Sequence, residues 1–309
     1  MTTGRALLII NPNSRGGQAD LDAIKTRLGQ SGLGVETVFP ENRQSVRQLI
    51  EVHKQDCDRV IIGGGDGSLN AAAEALVANT LPLGILPLGT ANDLARTLGI
   101  PLNPIQACEI IAKGRLHRID LGCVNGHYFF NVAHIGFGVT LARELSAEIK
   151  KQWGILGYGR AAFAALNKRA SFRAVIRDNG RTYKKRCFQI AIGNGRHFGG
   201  GLAIAHDARI DDHTLDVWSL EPFALWELMV LLPGIRSGRH LGHRRVWHRR
   251  TQSIEIRTRK RMPVSADGEE TTFTPARFHV LPSAISVYIP PHYELPDAGS
   301  REAGQSQPG

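Results

Sequence analysis

The sequence predicts an α/β chain in two parts, a doubly wound parallel sheet followed by a β-rich, antiparallel, sandwich-like unit. Three observations predict it. Short apolar β-rich runs alternate with helical patterns through the first third, the order of a parallel sheet with helices on both faces. After Gly114 the texture becomes strand-rich with short turns. The length of 309 residues, with 42% hydrophobic, 21% charged and 6% aromatic residues, suits two packed domains and not a disordered chain.

In order, residues 6–10 read as a strand, 20–30 as a helix, 34–39 as a strand and 45–55 as a helix. The last has Val46, Leu49, Ile50 and Val52 at its apolar positions. Residues 59–62 form a strand that enters glycines, 69–78 a helix and 83–86 a further strand. In the second part, 118–124, 128–134, 173–177, 188–193, 215–219, 253–257 and 278–282 read as strands, and 139–152 and 156–168 as helices. The end, 294–309, is rich in Gly, Ser, Gln, Pro and charge and reads as a disordered tail. No internal repeat is visible.

Several classes are excluded. The longest apolar stretches, such as 223–232 with Glu227 inside, fall well short of the ~20 residues needed to span a bilayer. The N-terminus reads as a strand and a loop, not as a signal peptide, so a cytoplasmic chain is expected. Cys57, Cys108, Cys123 and Cys187 are scattered with no C-x-x-C, which argues against a zinc site or a disulfide framework. His206, His240, His243 and His248 fit no zinc spacing either and sit among arginines.

Charge is uneven. Residues 1–122 hold 12 basic and 12 acidic side chains, so the whole net +10 lies beyond them. Between Arg236 and Arg261 stand ten Lys/Arg and three His against one acid, Glu255. Such asymmetry points to a polyanionic partner, an anionic membrane or a nucleic acid, or else to a solvated basic face. The run lacks interleaved stacking aromatics apart from Trp247, and no nucleic-acid motif is present, so nucleic acid is not expected.

Two glycine-rich turns carry the chemistry. In RVIIGGGDGSLN (59–70) a buried strand runs into four glycines and Asp66, and a helix starts at once. Glycines let the backbone approach a ligand closely, and a helix N-terminus favours an anion. It is not a Walker A loop, since no Gly-Lys-Ser/Thr follows, and Ser68 stands at the last glycine position of a G-x-G-x-x-G reading. A carboxylate beside a phosphate repels it unless a cation or proton donor lies between, so Asp66 implies one. The plain alternative is a strand–helix turn capped by Asp66. The second turn, GILPLGTANDLAR (84–96), again leads from a strand into a helix. Thr90 and Asn92 are its candidate caps, and Asp93 suits its first turn. Read functionally, Thr90 lies near phosphate and Asp93 is a second carboxylate at the same sheet edge.

IINPNSRGG, GGGDGSLN, LPLGTANDLAR, IDLGCVNGHYFFNVAHIGFG and ADGEE stand here in the order and spacing of the diacylglycerol kinase catalytic family. The chain resembles its soluble bacterial lipid kinases, related to sphingosine kinases and more distantly to NAD kinases, over roughly residues 5–292. The resemblance implies a first domain, 1–121, that binds ATP, and a second, 122–282, that carries a lipid cleft, with a strand near 283–292 returning to the first. It implies nucleotide-phosphate contacts from Gly63, Gly64, Gly65, Gly67 and Thr90, with Ser68 in the same turn and Asn11 in the N-P loop. It places Asp66, Asp93 and Asp120 at the domain junction, linked to metal and phosphate, and makes Glu269 the general base. It aligns Arg209, Asp212 and Thr214 with a structural Mg²⁺ site made of two backbone carbonyls and one carboxylate. Two departures stand out. His213 occupies a usual glycine position, and if that position needs φ > 0 the histidine is strained there and the metal site is called into question. Pro40-Glu41-Asn42-Arg43 replaces a stretch that usually offers a threonine, so one nucleotide contact is missing or supplied differently.

The implied activity is ATP-dependent phosphorylation of a lipid hydroxyl, diacylglycerol or a related glycerolipid, with Mg²⁺, at an anionic membrane surface. Phosphoryl transfer asks for positioning, charge compensation and a base for the acceptor hydroxyl. Without the resemblance, Asp267-Gly268 is a hairpin signal and Glu269 an exposed turn residue. Residues 152–166 and 224–232, with Lys150, Lys151, Lys168 and Arg169 flanking the first, are candidate membrane-facing stripes or core-packing ones. The alternatives are an NAD kinase-like enzyme and a basic nucleic-acid-binding protein. The lipid species and self-association are left open.

Overall fold

The computed structural model describes residues 4–12, 14, 21–137, 139, 171–222, 234 and 236–293. The expected helices at 139–152 and 156–168, the stripe at 224–232, residues 15–20 and the 294–309 tail lie wholly or almost wholly outside them.

Strands β1 (Gly4–Ile10), β2 (Leu33–Val38), β3 (Arg59–Gly64) and β4 (Leu83–Pro87) form a parallel sheet in the order β2-β1-β3-β4. Burial on both faces explains the continuous apolar runs of β1, β3 and β4, whose central residues are inaccessible to water. Helices α1 (Leu21–Gln30), α2 (Arg43–His53), α3 (Asp66–Asn79), α4 (Asp93–Thr97) and α5 (Pro104–Lys113) connect them and follow them. Two starts differ from the sequence reading. Helix α2 begins at Arg43, because Asn42 caps it: Asn42 Oδ1 accepts from the Ser45 amide, and Ser45 Oγ accepts from the Asn42 amide, each at 3.1 Å. Helix α3 begins at Asp66, directly behind the glycines.

The rest of the chain supplies β5 (Arg115–Val124), β6 (His127–Phe129), β7 (Val132–Gly136), β8 (Phe172–Asp178), β9 (Arg181–Cys187) and β10 (Gln189–Gly193). The short β11 (His197–Phe198) and β12 (Leu202–Ala203) precede β13 (Leu215–Leu220), β14 (Val246–Thr251), β15 (Ser253–Thr258), β16 (Pro263–Ala266), β17 (Glu269–Phe273) and β18 (Ala276–Ile289). Strand β18 ties the two parts into one molecule. Its first half pairs with β15, most of its length pairs with β5, and its far end pairs in parallel with β4 at Val287–Leu83. The sequence predicts a strand at 278–282, and the resemblance implies a second near 283–292. In fact a bulge absorbs Pro282, with Ser283 at φ 49°, and pairing resumes at Ile285.

A second, wholly antiparallel sheet runs β14-β13-β10-β7-β16-β17. It packs on the β18-β15-β8 end of the first sheet through one core. Ile176, Ile254, Ile256 and Phe278 come from one side, and Ile135, Ile190, Val217 and Val264 from the other. The observed architecture is therefore the parallel α/β sheet plus antiparallel sandwich that the sequence implied.

The expected single strand 128–134 is two. Phe130 and Asn131 interrupt it because the amides of Phe130, Asn131 and Val132 all donate to the carboxylate of Asp267.

Candidate active site

The two glycine turns lie against each other at the carboxyl end of the parallel strands. A Cβ on Gly89 would stand 2.4 Å from Gly65 Cα and 2.8 Å from Asn92 Oδ1. One on Gly64 would stand 2.5 Å from Ser68 Oγ, and one on Gly63 2.6 Å from Ile10 Cδ1. These glycines are there for close approach, not for an unusual φ. Asn11 closes the edge: its amide donates to Gly63 O at 2.9 Å and its side chain to Ser68 Oγ at 3.3 Å. Gly67 is roomier, with Glu269 Oε1 the nearest atom to such a Cβ at 3.5 Å. Thr90 is exposed beside the contact between the turns. Asn11, Gly63, Gly64, Gly65, Gly67, Ser68 and Thr90 thus share one edge of the sheet.

The capping pattern differs from the sequence reading. Gly65 caps α3 without any side-chain bond. Asp66 instead serves its neighbour: its Oδ2 accepts from the Asp93 amide at 3.1 Å and its Oδ1 from the Leu94 amide at 3.0 Å, the first two amides of α4. Asn92, at φ 50°, turns its side chain back onto the amide and carbonyl of Gly89 and so holds the second turn shut. Asp93 is buried and accepts from the amides of Gly200 and Gly201 at 2.9–3.1 Å, which fastens the parallel domain to the 199–201 loop. Burial pushes the Asp93 carboxyl up to about 6, Asp66 adds to the push, and the two glycine amides oppose it.

Asn131 Nδ2 donates to Asp66 Oδ1 at 3.3 Å, while Asn131 Oδ1 is buried with no hydrogen-bond partner. An oxygen-rich set of Asp66, Asp93 and Asn131 Oδ1 fits a hard divalent cation that draws its other ligands from phosphate and water. Among the described residues no three or more His, Cys, Asp and Glu side chains are grouped so that they could hold a metal ion by themselves.

Asp267 is the site residue that sequence reasoning took only for half of a hairpin turn. The turn is real, with φ 47° at Asp267 and 86° at Gly268, but its carboxylate turns inward. There it accepts from the amides of Phe130, Asn131 and Val132 at 2.8–3.2 Å and from Asn70 Nδ2 at 3.0 Å. Burial raises its carboxyl to about 6 against these donors. Asn70 Oδ1 in turn accepts from Arg43 Nη2 at 3.1 Å, and Arg43 Nη1 forms an ion pair with Glu269. Glu269 therefore stands over Gly67, at the first glycine turn. Arg43 came from the loop in which the usual threonine is missing. Its only sequence signal was a lone cation after a helix cap.

Asp120 belongs with a different group. Its carboxylate accepts from the His213 amide and the Ser283 amide, each at 2.7 Å, and meets His213 Nδ1 at 3.0 Å. His213 takes φ 60°, the left-handed conformation expected of a glycine position, and its ring contact with Asp120 offsets the strain. Arg209, Asp212 and Thr214 occupy this same loop. Asp212 Oδ1 accepts from the amide and hydroxyl of Thr214 at 3.0 and 2.7 Å, and the Arg209 guanidinium lies on Asp211.

Comparison with known proteins agrees with this architecture. Residues 5–124 match the diacylglycerol kinase catalytic domain and residues 133–289 the YegS C-terminal NAD kinase beta sandwich-like domain. A protein described as a probable lipid kinase YegS-like, from Yersinia enterocolitica, is 34% identical over 295 residues, 94% of this chain and 98% of its own. Another of that description, from Shewanella frigidimarina, is 35% identical over 262 residues, 82% of this chain and 83% of its own. A crystal structure of a diacylglycerol kinase from Bacillus anthracis superposes with a TM-score of 0.78 at 25% identity, covering 94% of this chain and 99% of that one. The chain thus belongs to the YegS-like lipid kinases, with the diacylglycerol kinase catalytic domain at its N-terminal end.

Proposed function

We propose that this chain transfers the γ-phosphate of ATP to the hydroxyl of diacylglycerol or a related glycerolipid, working at an anionic membrane surface. The observation that carries the reading is the placement of Glu269 over Gly67, which joins a candidate base from the second domain to the anion-favouring turn of the first. Phosphate oxygens would lie against Gly65, Gly67, Ser68 and Thr90, where the backbone is bare and α3 begins without a side-chain cap. Mg²⁺, when bound, would compensate phosphate charge beside Asp66, Asp93 and Asn131. Asp66 and Asp93 meanwhile fix α4 and the 199–201 loop relative to the turns. Glu269 Oε1 would take the proton of the attacking lipid hydroxyl, a role worth ~10²–10⁴-fold in rate. The loop with Arg209, Asp212 and Thr214 is the proposed structural Mg²⁺ site, where His213 takes the left-handed turn and its amide is held by Asp120 of β5.

An NAD kinase-like reaction is the second reading, favoured by the NAD kinase-like fold of the second domain. Both are tested by ADP release with ATP and Mg²⁺ against mixed micelles of diacylglycerol, monoacylglycerol, phosphatidylglycerol or a sphingoid base, with NAD as a parallel arm. Lipid-stimulated turnover that falls ~10²-fold or more in Glu269→Gln is expected. Turnover of NAD alone would replace the lipid reading by the second.

A further inference from the structure

We propose that Arg43 is an exchangeable counter-ion: it pairs with Glu269 while the phosphate turn is empty, and gives its guanidinium to nucleotide phosphate when the turn is filled, so releasing Glu269. The inference rests on the nucleotide reading above and adds to it a residue and a coupling.

Three observations carry it. Arg43 lies outside both glycine turns, yet its Nη1 reaches Glu269 and would lie 3.9 Å from a Cβ on Gly67. Guanidinium, carboxylate and the start of α3 therefore meet at one point. The other side of the guanidinium is fixed, because Nη2 donates to Asn70 Oδ1 and Asn70 is in turn held by Asp267 and the Tyr128 carbonyl. Among the described residues no second partner anchors the Glu269 side chain, which is 49% exposed against 40% for Arg43. Of the two partners, the carboxylate is the one positioned to leave.

The chemistry gives the direction of exchange. A terminal phosphate carries more charge than a carboxylate and matches the guanidinium fork at least as well, so an anion in the turn competes for Arg43. While the pair lasts, the guanidinium covers Glu269 Oε1, the oxygen that would take the proton of the lipid hydroxyl. Once the phosphate has taken Arg43, that oxygen is uncovered at the moment a phosphoryl group is present. Linkage makes the coupling reciprocal: removing the carboxylate must strengthen phosphate binding.

The test is the affinity of the full chain for ADP and for adenylyl imidodiphosphate with Mg²⁺, measured by calorimetry, with thermal unfolding as a check on folding. Glu269→Gln, which leaves no pair to break, should bind the triphosphate analogue ~3–10-fold more tightly than wild type. Arg43→Gln should bind it ~10-fold more weakly, Arg43→Lys should fall between, and the double variant should be no tighter than Arg43→Gln. The effects should shrink for ADP if the terminal phosphate is the one that takes Arg43. Should Arg43→Gln fail to fold, the half-exposed Glu269→Gln and Arg43→Lys still decide the question. Wild-type binding with Glu269→Gln no tighter, or with the two substitutions simply additive, would overturn the exchange and leave the nucleotide reading standing. A wild-type chain that binds neither nucleotide would overturn both.

Discussion

At the scale of single residues, Asp267 has the most to hold together, since four donors from two distant stretches of chain converge on its carboxylate. Asp267→Asn would set an NH₂ against amides that are themselves donors, and should cost ~2–4 kcal/mol by urea denaturation. A pH series separates charge from shape. The folded carboxyl titrates at about 6 and the ordinary value is 3.8, so between them the folded state holds the extra proton. Its contribution is fully present below about pH 4 and is lost as pH rises through 6, a fall of roughly 3 kcal/mol. Buried His134 and His240 and half-buried His197, lowered to about 4 chiefly by desolvation, pull the opposite way, because their share appears as pH rises towards 6.5. The expected outcome is therefore differential: stability should climb more steeply from pH 4 to 6.5 in Asp267→Asn than in wild type. Parallel curves would show that Asp267 does not bind the extra proton.

At the scale of elements, the two glycine turns behave as one part because their backbones touch. Gly89→Ala drives a Cβ to 2.4 Å from Gly65 Cα, with backbone on both sides, so one turn must move. A loss of ~1–3 kcal/mol is expected together with weaker nucleotide binding, since Asp93 and α4 follow the second turn. Gly67→Ala meets nothing closer than 3.5 Å and should unfold like wild type. Thermal unfolding of the two variants side by side checks this, and equal midpoints would mean that the turns are not in contact. These turns were legible in the sequence because glycine spacing, strand and helix all lie within a dozen residues. So were the four parallel strands, whose burial on both faces writes them as unbroken apolar runs. Most of what escaped was non-local, helix α5 being the exception. Strand β14 reads as a basic run because its arginines are neutralised by acids far away in sequence, Arg249 by Asp178 and Arg250 by Asp207 and Asp216. Strand β9 is polar on its outer face, and only the Asn179-Gly180 turn before it, at φ 45° and 79°, signalled a hairpin. Helix α5 carried the pattern of Asn103 as cap and Pro104 at its first turn, a local signal left unread. Arg43 had no readable role, since its partner Glu269 is brought to it only by the return of β16 and β17 to the first domain.

At the scale of the molecule, the net charge of +10 has to be divided again once the fold is known. Within the basic run, Arg249 and Arg250 are bound to buried aspartates and Arg245 donates to the Pro222 carbonyl, so these serve the sandwich. Other cations of the run face water, Arg236, Arg239 and Arg244 before β14 and, densest, Arg259, Lys260 and Arg261 in the β15–β16 loop, where Arg261 lies 4.6 Å from the ring centroid of Phe273. Three cations beside an accessible aromatic edge suit an anionic lipid surface, where each basic residue is worth about 1 kcal/mol and the attraction decays within a Debye length. No helix among the described residues is long and apolar enough to cross a membrane, so attachment through such a surface is consistent with work on a lipid. Replacing Arg259, Lys260 and Arg261 together by alanine should weaken binding to phosphatidylglycerol-containing vesicles by ~10²-fold at low salt and leave thermal stability unchanged. Arg250→Ala should do the reverse, lowering stability by ~3–5 kcal/mol because Asp207 and Asp216 lose their shared partner, with little change in vesicle binding. Co-sedimentation with anionic and neutral vesicles across a salt series measures both. If the triple variant bound as well as wild type, or if neutral vesicles bound as well as anionic ones, the exposed loop would not be the membrane contact.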